Sequence, residues 1–312
     1  MKTRILGRTG LEVSEIGFGA WAIGGNAHGN SLGPTDDATS RAAIDAALAA
    51  GVTFFDTADL YGHGRSEQLL GEALAGGRGG IVLATKAGAD FTDPARIHTR
   101  YDGPYLRAAL GRSLERLRTD HVDLFQLHDA KLDVIRAPET HEALARLKAE
   151  GLTRFVGASL HSIEEALAAI DCGVYDTIQV VMSVACQWLA NRVAARARER
   201  GVGLIAREPL VQGYLSGKYG PAHVFPAGDV RGQWPADYRA YLDQLVAAMR
   251  RYFHERRKVD RPLAAIALQF VLAADGVSTV IASMKTPAQV AENVGVLACP
   301  PLARAELDWL TE

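Results

Sequence analysis

The sequence predicts a (β/α)8 TIM barrel, an α/β fold, and two observations support this prediction. Eight short apolar segments, rich in β-branched and aromatic residues, alternate with helical patterns along the 312 residues. This order predicts parallel strands joined by right-handed crossovers, and strands buried on both faces are expected to be apolar runs. An open doubly wound sheet fits the same order, but eight such units in roughly 300 residues favour a closed barrel.

The predicted barrel strands follow one another from the amino-terminal to the carboxy-terminal part of the chain. They are Ile16–Gly19, Thr53–Phe55, Ile81–Thr85, Val122–Leu127, Phe155–Gly157, Thr177–Val181, Gly203–Ala206 and Thr279–Ala282. Between them, leucines recur at helical spacing after Pro104, a residue that suits a first helical turn. Ser162 and Glu165 have the spacing of a capping box ahead of another helix.

Two segments lie outside the repeating pattern. The start of the chain predicts a β-hairpin, Arg4–Leu6 with Leu11–Ser14, that could close the barrel floor. A long excursion, Tyr219–Arg261, separates the seventh and eighth strands and is expected to hold an extra helix around Tyr238–His254. No domain boundary is apparent, so we expect residues 1–312 to form a single barrel domain.

Composition excludes several classes of function. The 34 basic and 36 acidic side chains give a formal net charge of −2, so neither nucleic acid nor an anionic membrane is an expected partner. No signal peptide or apolar run of bilayer length is present, which predicts a cytoplasmic protein. The 3 cysteines are far apart, which predicts small buried thiols and neither a disulfide framework nor a zinc site. No other pattern predicts a metal site.

Polar residues stand where the apolar runs stop, and barrel active sites are built at the carboxyl ends of the strands. These residues are Asp56, Lys86, His128, Ser159, Gln179, Arg207 and Ser283. A single strand-end Asp or His is often structural. Together with Tyr61, however, the combination of Asp, Lys and His from three successive strands indicates a proton-transfer assembly.

The chemistry of such an assembly centres on the phenol. A free tyrosine titrates near ~10 and is a weak acid at neutral pH unless its phenolate is stabilised. An ammonium at Lys86 would favour the phenolate, and a carboxylate at Asp56 would keep that lysine charged. Tyr61 is therefore the predicted acid, and His128 is expected to orient the substrate oxygen or share the proton.

These residues lie in motifs that resemble the aldo-keto reductase family along essentially the whole chain. The motifs, in the family's order, are GRTGLEVSEIGFGAW, FFDTADLYG, LATKAG, VDLFQLH, RFVGAS, IAREPLVQGYLSGKY and SMKTPAQVAEN. The resemblance implies a nicotinamide cofactor bound in extended form and hydride transfer to a carbonyl compound, or from its alcohol. It also implies a catalytic tetrad of Asp56, Tyr61, Lys86 and His128.

The resemblance further implies a set of cofactor contacts. Gly19, Ala20 and Trp21 would lie near the nicotinamide and substrate, and Ser159 and Gln179 would hold the carboxamide, with Asp56 and Arg207 close by. The implied pyrophosphate and adenosine contacts are Leu210, Gln212, Gly213, Lys218, Ser283, Lys285, Gln289, Glu292 and Asn293. Lys285 precedes the helix start predicted at Pro287 and could bind a phosphate there. This favours NADP(H) over NAD(H).

Three sites depart from the family pattern, one of them being Met182 and Ser183, which replace a more usual aromatic-Asn pair after the sixth strand. Leu160 replaces the usual Asn, and Arg207 stands where many members carry a ring stacked on the nicotinamide. Arg207 could stack on that ring while paired with Glu208, or it could face an anionic substrate or cofactor phosphate.

We expect Trp21, Tyr61, His128 and Trp234 to line the substrate pocket, with loops 88–103 and 220–235 as its walls. The polarity of these loops favours sugars or other hydroxylated carbonyls over steroids. Two other functions remain open at this stage: a cofactor-binding sensor or regulatory barrel with little turnover, and a redox-neutral epimerase or lyase that retains its cofactor.

Overall fold

The computed structural model describes residues 1–29, 31–93 and 96–312. Its strands are β1 (Thr3–Ile5), β2 (Glu12–Ser14), β3 (Ile16–Gly19), β4 (Phe54–Asp56), β5 (Val82–Ala87), β6 (Ala89–Asp90), β7 (His98–Thr99), β8 (Val122–His128), β9 (Thr153–Leu160), β10 (Thr177–Val181), β11 (Gly203–Arg207) and β12 (Val277–Ser283). Eight of them form a closed parallel barrel in the order β10-β11-β12-β3-β4-β5-β8-β9. The predicted (β/α)8 barrel is therefore confirmed, and each predicted strand overlaps one of these eight.

Helices follow the barrel strands and cover the outside of the barrel. They are α1 (Asp37–Ala49), α2 (Arg65–Leu74), α3 (Gly103–Leu117), α4 (Leu132–Arg136), α5 (Pro138–Ala149), α6 (Ile163–Asp171), α7 (Trp188–Glu199), α8 (Ala236–Arg250), α9 (Leu263–Ala273), α10 (Pro287–Gly295) and α11 (Arg304–Thr311). Pro104 lies in the first turn of α3, and Ser162 and Glu165 form the capping box that starts α6. None of the helices in the described ranges is both long and apolar enough to cross a bilayer.

The amino-terminal hairpin closes the barrel floor, as predicted. β1 and β2 pair antiparallel, with Thr3 opposite Ser14. Leu6, Leu11 and Val13 are buried in a small apolar cluster with residues from the inside of the barrel, among them Phe54. Because this end is filled by apolar side chains, the polar cavity described below opens at the other end of the strands.

The long excursion between β11 and β12 differs in detail from the expectation. The extra helix α8 begins at Ala236 and ends at Arg250, and residues Arg251–Arg256 continue it as a π-helical turn.

The prediction of buried thiols was wrong: Cys172 is exposed, and Cys186 and Cys299 are only partly buried. All three are free thiols.

Candidate active site

A buried ion pair lies at the carboxyl ends of β4 and β5. Lys86 is fully buried, and its Nζ donates to Asp56 Oδ1 at 2.5 Å and to the carbonyl of Thr57 at 2.9 Å. The same ammonium lies 3.3 Å from the hydroxyl of Tyr61. A charge buried this deeply needs such partners, so one lysine fixes the relative positions of the carboxylate and the phenol.

The loop after β4 holds Tyr61 through glycine contacts. Gly62 has a φ of 60°, and a Cβ at this position would lie 2.1 Å from the carbonyl oxygen of Gly24. The loop can therefore press directly on the 3-10 turn Ala20–Gly24 only because position 62 carries no side chain. The ring of Tyr61 then meets the ring of His128 edge to face, with 5.7 Å between centroids.

The ionisation of Tyr61 and Lys86 differs in part from the expectation that the ammonium makes the phenol more acidic. Burial raises the pKa of Tyr61, and this effect outweighs the lowering by the ammonium of Lys86. Burial alone would lower the pKa of Lys86, but the charge of Asp56 reverses that effect and the pKa of Lys86 is raised. The protein at neutral pH therefore presents a protonated phenol beside an ammonium.

His128 ends β8 and is a neutral group. The pKa of His128 is lowered to about 4, chiefly by burial; the charge of Asp129 opposes this shift and the nearby cation of Lys86 adds to it. Its Nδ1 is buried and has no hydrogen-bond partner among the described residues. A neutral imidazole in the cavity wall can donate or accept one hydrogen bond to a ligand oxygen.

Two amides complete the surroundings of the carboxylate. Gln126 Nε2 donates to Asp56 Oδ2 at 3.0 Å, and Gln179 Nε2 donates to the same oxygen at 2.9 Å. The family resemblance implies that Gln179 and Ser159 hold the cofactor carboxamide, and both residues line the cavity. Gln126 was missed, although its spacing of two from His128 on a strand places both side chains on the inner face.

These groups open into a cavity of about 410 Å³ at the carboxyl ends of the strands. Most of the predicted site residues line it: Gly19, Ala20, Trp21, Asp56, Tyr61, His128, Ser159, Gln179, Arg207, Leu210, Gln212, Gly213, Ser283, Lys285 and Gln289. The cavity therefore runs from the tetrad, across the ends of β9 to β12, to the start of α10.

Other predicted residues lie outside this lining. Lys218 and Glu292 form an ion pair at 2.6 Å, and Asn293 is buried in α10. Trp234, predicted in the substrate pocket, packs instead against Tyr214, with 5.9 Å between ring centroids. Loop 88–103 was predicted as a wall of the pocket; its residues 94 and 95 lie outside the described residues.

The far end of the cavity carries two cations. Lys285 Nζ donates to the carbonyls of Leu32 at 2.8 Å and Pro34 at 3.0 Å, and burial lowers the pKa of Lys285. Arg231 was missed by the sequence analysis because it lies in the long excursion. It is buried, lines the cavity and pairs with Asp229 at 2.7 Å.

Near the tetrad, Arg207 belongs to a polar network that spans the end of the barrel. Its Nη1 donates to Glu208 Oε1, and its Nη2 lies 3.4 Å from the carbonyl of Leu160 and 3.1 Å from His161 Nδ1. His161 Nε2 lies 2.7 Å from Asp129 Oδ1. The sequence pairs Arg207 with Glu208, but Asp129 and His161 come from other loops and were missed.

Comparison with known proteins agrees with this architecture. The model of the aldo/keto reductase family matches residues 15–312. An L-galactose dehydrogenase of Arabidopsis thaliana is 31% identical over 310 residues, covering 95% of this chain and 88% of that protein. The NADH-specific methylglyoxal reductase of Escherichia coli K12 is 26% identical over 312 residues, covering 95% of this chain and 94% of that protein.

Among solved structures, the holo form of an aldo-keto reductase from Bacillus halodurans is 33% identical and superimposes with a TM-score of 0.81, covering 100% of this chain and 97% of that one. Barrel, cavity and relatives together define an oxidoreductase of small molecules. The chain belongs to the aldo/keto reductase family, whose members use nicotinamide cofactors.

Proposed function

We propose that this protein transfers hydride between C4 of a nicotinamide cofactor and the carbonyl carbon of a small aldehyde or ketone, or runs the reverse oxidation of the alcohol. The observation that carries the proposal is the contact of Lys86 with both Asp56 and Tyr61 at the wall of the cavity. The hydroxyl of Tyr61 is a proton donor that contacts the fixed ammonium of Lys86, and Tyr61 lines the cavity in which a ligand can bind.

In the reducing direction, Tyr61 gives its phenolic proton to the substrate oxygen as negative charge develops there. Lys86 then stabilises the phenolate that remains, because its ammonium is held 3.3 Å from the phenolic oxygen. Asp56 keeps the ammonium charged in a buried place. His128, neutral above about pH 4, can donate a hydrogen bond to the same substrate oxygen.

The cavity has features that fit the nicotinamide nucleotide, which when bound supplies or accepts the hydride. Two polar atoms of lining residues, Arg207 Nε and Gln212 Oε1, are buried without a partner among the described residues. At the far end, α10 directs its amino terminus to the cavity beside Lys285. Residues near the tetrad would hold the nicotinamide, and those near α10 the adenosine.

NADP(H) is the cofactor we propose, because Lys285 places a cation where the adenosine end would lie. The ammonium already donates to two carbonyls, which leaves one of its three donors for a phosphate. The E. coli relative is NADH-specific by name, so NAD(H) is the alternative that the titration must compare.

The test is a fluorescence titration of the nucleotide-free protein with NADPH and NADH. It is followed by absorbance at the nicotinamide band with a panel of aliphatic, aromatic and hydroxylated aldehydes. Binding with consumption of the reduced nucleotide supports the proposal. Tyr61→Phe should abolish turnover and keep nucleotide affinity within about threefold, because it removes the acid alone.

Tyr241→Phe is the matched control, since Tyr241 is 45% exposed on α8 and outside the cavity lining. Its turnover should equal that of the unchanged protein. Substantial turnover by Tyr61→Phe, or failure to bind either nucleotide, would refute the proposed function.

A further inference from the structure

Two carboxylates beside the tetrad stand on unusual backbone. Asp129 has a φ of 58° and Glu208 a φ of 57°, and each follows directly after the last residue of a barrel strand, β8 or β11. Residues with side chains rarely adopt this left-handed conformation, and such strained positions concentrate at functional sites. Both side chains line the cavity.

Each carboxylate is held by one oxygen. Asp129 Oδ1 lies 2.7 Å from His161 Nε2, and Glu208 Oε1 accepts from Arg207 Nη1. Asp129 Oδ2 and Glu208 Oε2 accept no hydrogen bond from the part of the chain that the structure describes. The two side chains are 49% and 34% exposed, so both unused oxygens can receive donors from a ligand.

The same network limits what Arg207 can do. Its Nη1 is paired with Glu208 and its Nη2 is directed at the Leu160 carbonyl and at His161. An arginine that clamps a substrate carboxylate uses two parallel donors, whereas Nη1 and Nη2 are engaged and only Nε is without a partner among the described residues. An anionic ligand would also approach two carboxylates, which disfavours it electrostatically.

From this geometry we infer that Asp129 and Glu208 select a neutral, polyhydroxylated substrate by accepting hydrogen bonds from its hydroxyl groups. His161 and Arg207 are positioning residues that fix the two carboxylates. The inference rests on the proposed function, since it names the substrate class for the same cavity. Although burial opposes it, the hydrogen bond to His161 keeps the pKa of Asp129 low, which supports a charged acceptor at neutral pH.

Turnover provides the first measurement. The unchanged protein should prefer glyceraldehyde to propanal, which lacks the two hydroxyl groups of glyceraldehyde. It should reject glyoxylate, which carries a carboxylate. Asp129→Asn and Glu208→Gln should each lower kcat/KM for glyceraldehyde about tenfold or more, since hydrogen bonds to charged acceptors are the stronger ones. Their kcat/KM for propanal should stay within about threefold.

Glu164→Gln is the matched control, because this glutamate is 70% exposed on α6 and outside the cavity lining. It should leave all three rates unchanged. An equal loss for glyceraldehyde and propanal in the cavity variants would mean that the carboxylates have a general structural role, and would overturn the inference.

Binding provides a readout that does not depend on turnover. Isothermal calorimetry of the protein, with and without nucleotide, compares erythritol, 1-butanol, butyrate and butylammonium. Erythritol should bind most tightly, and Asp129→Asn should weaken it about tenfold while 1-butanol is unchanged. Erythritol binding no better than 1-butanol, or butyrate or butylammonium binding tightest, would overturn the inference. If polyols bind as expected but no aldehyde is reduced, the proposed function fails and the ligand class stands.

Discussion

His128 should make the protein sensitive to acid over a defined pH range. Burial lowers its pKa to about 4 from an ordinary value of 6.5. The unfolded chain therefore takes up a proton at His128 as the pH falls below about 6.5, whereas the folded protein takes it up only near pH 4. The contribution of neutral His128 to stability is consequently present at neutral pH and lost on acidification. The shift corresponds to about 3 kcal/mol lost by about pH 4.

The perturbation is His128→Gln, which removes the titrating group and keeps a polar side chain. Urea unfolding at 25 °C, followed by circular dichroism at several pH values, gives the free energy of unfolding of each protein. Between about pH 7.5 and about pH 4 the unchanged protein should lose about 3 kcal/mol more than the variant.

His98→Gln, at an exposed position in β7, shows what the removal of a surface histidine does under the same conditions. Stability curves of the unchanged protein and His128→Gln that run parallel across this range would refute the reasoning. If the unchanged protein instead lost stability relative to His128→Gln as the pH rose, the predicted direction of the pH dependence would be refuted.

Three further predictions concern the ion pair, the cofactor and the glycine contact. Lys86→Met should lower the free energy of unfolding by about 3–5 kcal/mol, because it leaves the buried carboxylate of Asp56 without its cation. The double variant with Asp56→Asn should recover part of this loss, and a double variant less stable than the single one would contradict the reasoning. Lys285→Ala should weaken NADPH about tenfold more than NADH in the fluorescence titration, and equal weakening would mean that the ammonium does not bind the 2′-phosphate. Gly62→Ala should lower the free energy of unfolding by more than about 2 kcal/mol, since its Cβ would lie 2.1 Å from a carbonyl oxygen. A Cβ at Gly111 in α3 meets nothing within 4 Å, so Gly111→Ala should stabilise the protein by up to about 1 kcal/mol, and similar effects of the two changes would refute the contact argument.

The barrel was predictable because its signals are local. A strand buried on both faces appears as an apolar run, and a helix start appears as a capping pattern such as Ser162 with Glu165. Element ends were less predictable, since the predicted strand Thr279–Ala282 is in fact Val277–Ser283. The helical pattern of the excursion likewise did not show where α-helix gives way to the π-helical turn after Arg250.

The site was predictable where one strand end contributes one polar residue. The structure brings Asp56 and His128 to one cavity, and Lys86 lies buried behind its wall in contact with Asp56, as strand-end positions alone indicate. The residues that surround these positions were harder to predict from the sequence, because they depend on contacts between distant segments. Asp129 meets His161 only because β8 and β9 are neighbours, and Arg231 reaches the cavity only through the fold of its loop.

The seam of the barrel has a consequence for how the chain is made in the cell. β3 pairs with β12, Ile16 opposite Val280, and Arg4 donates to the carbonyl of Val277, 273 positions away. A ribosome delivers β3 first and β12 near the end, so for most of synthesis one edge of β3 has no partner and remains open to pairing with other chains. The nascent chain therefore keeps an open strand edge, at which other chains can pair, until β12 has been made and closes the barrel on β3.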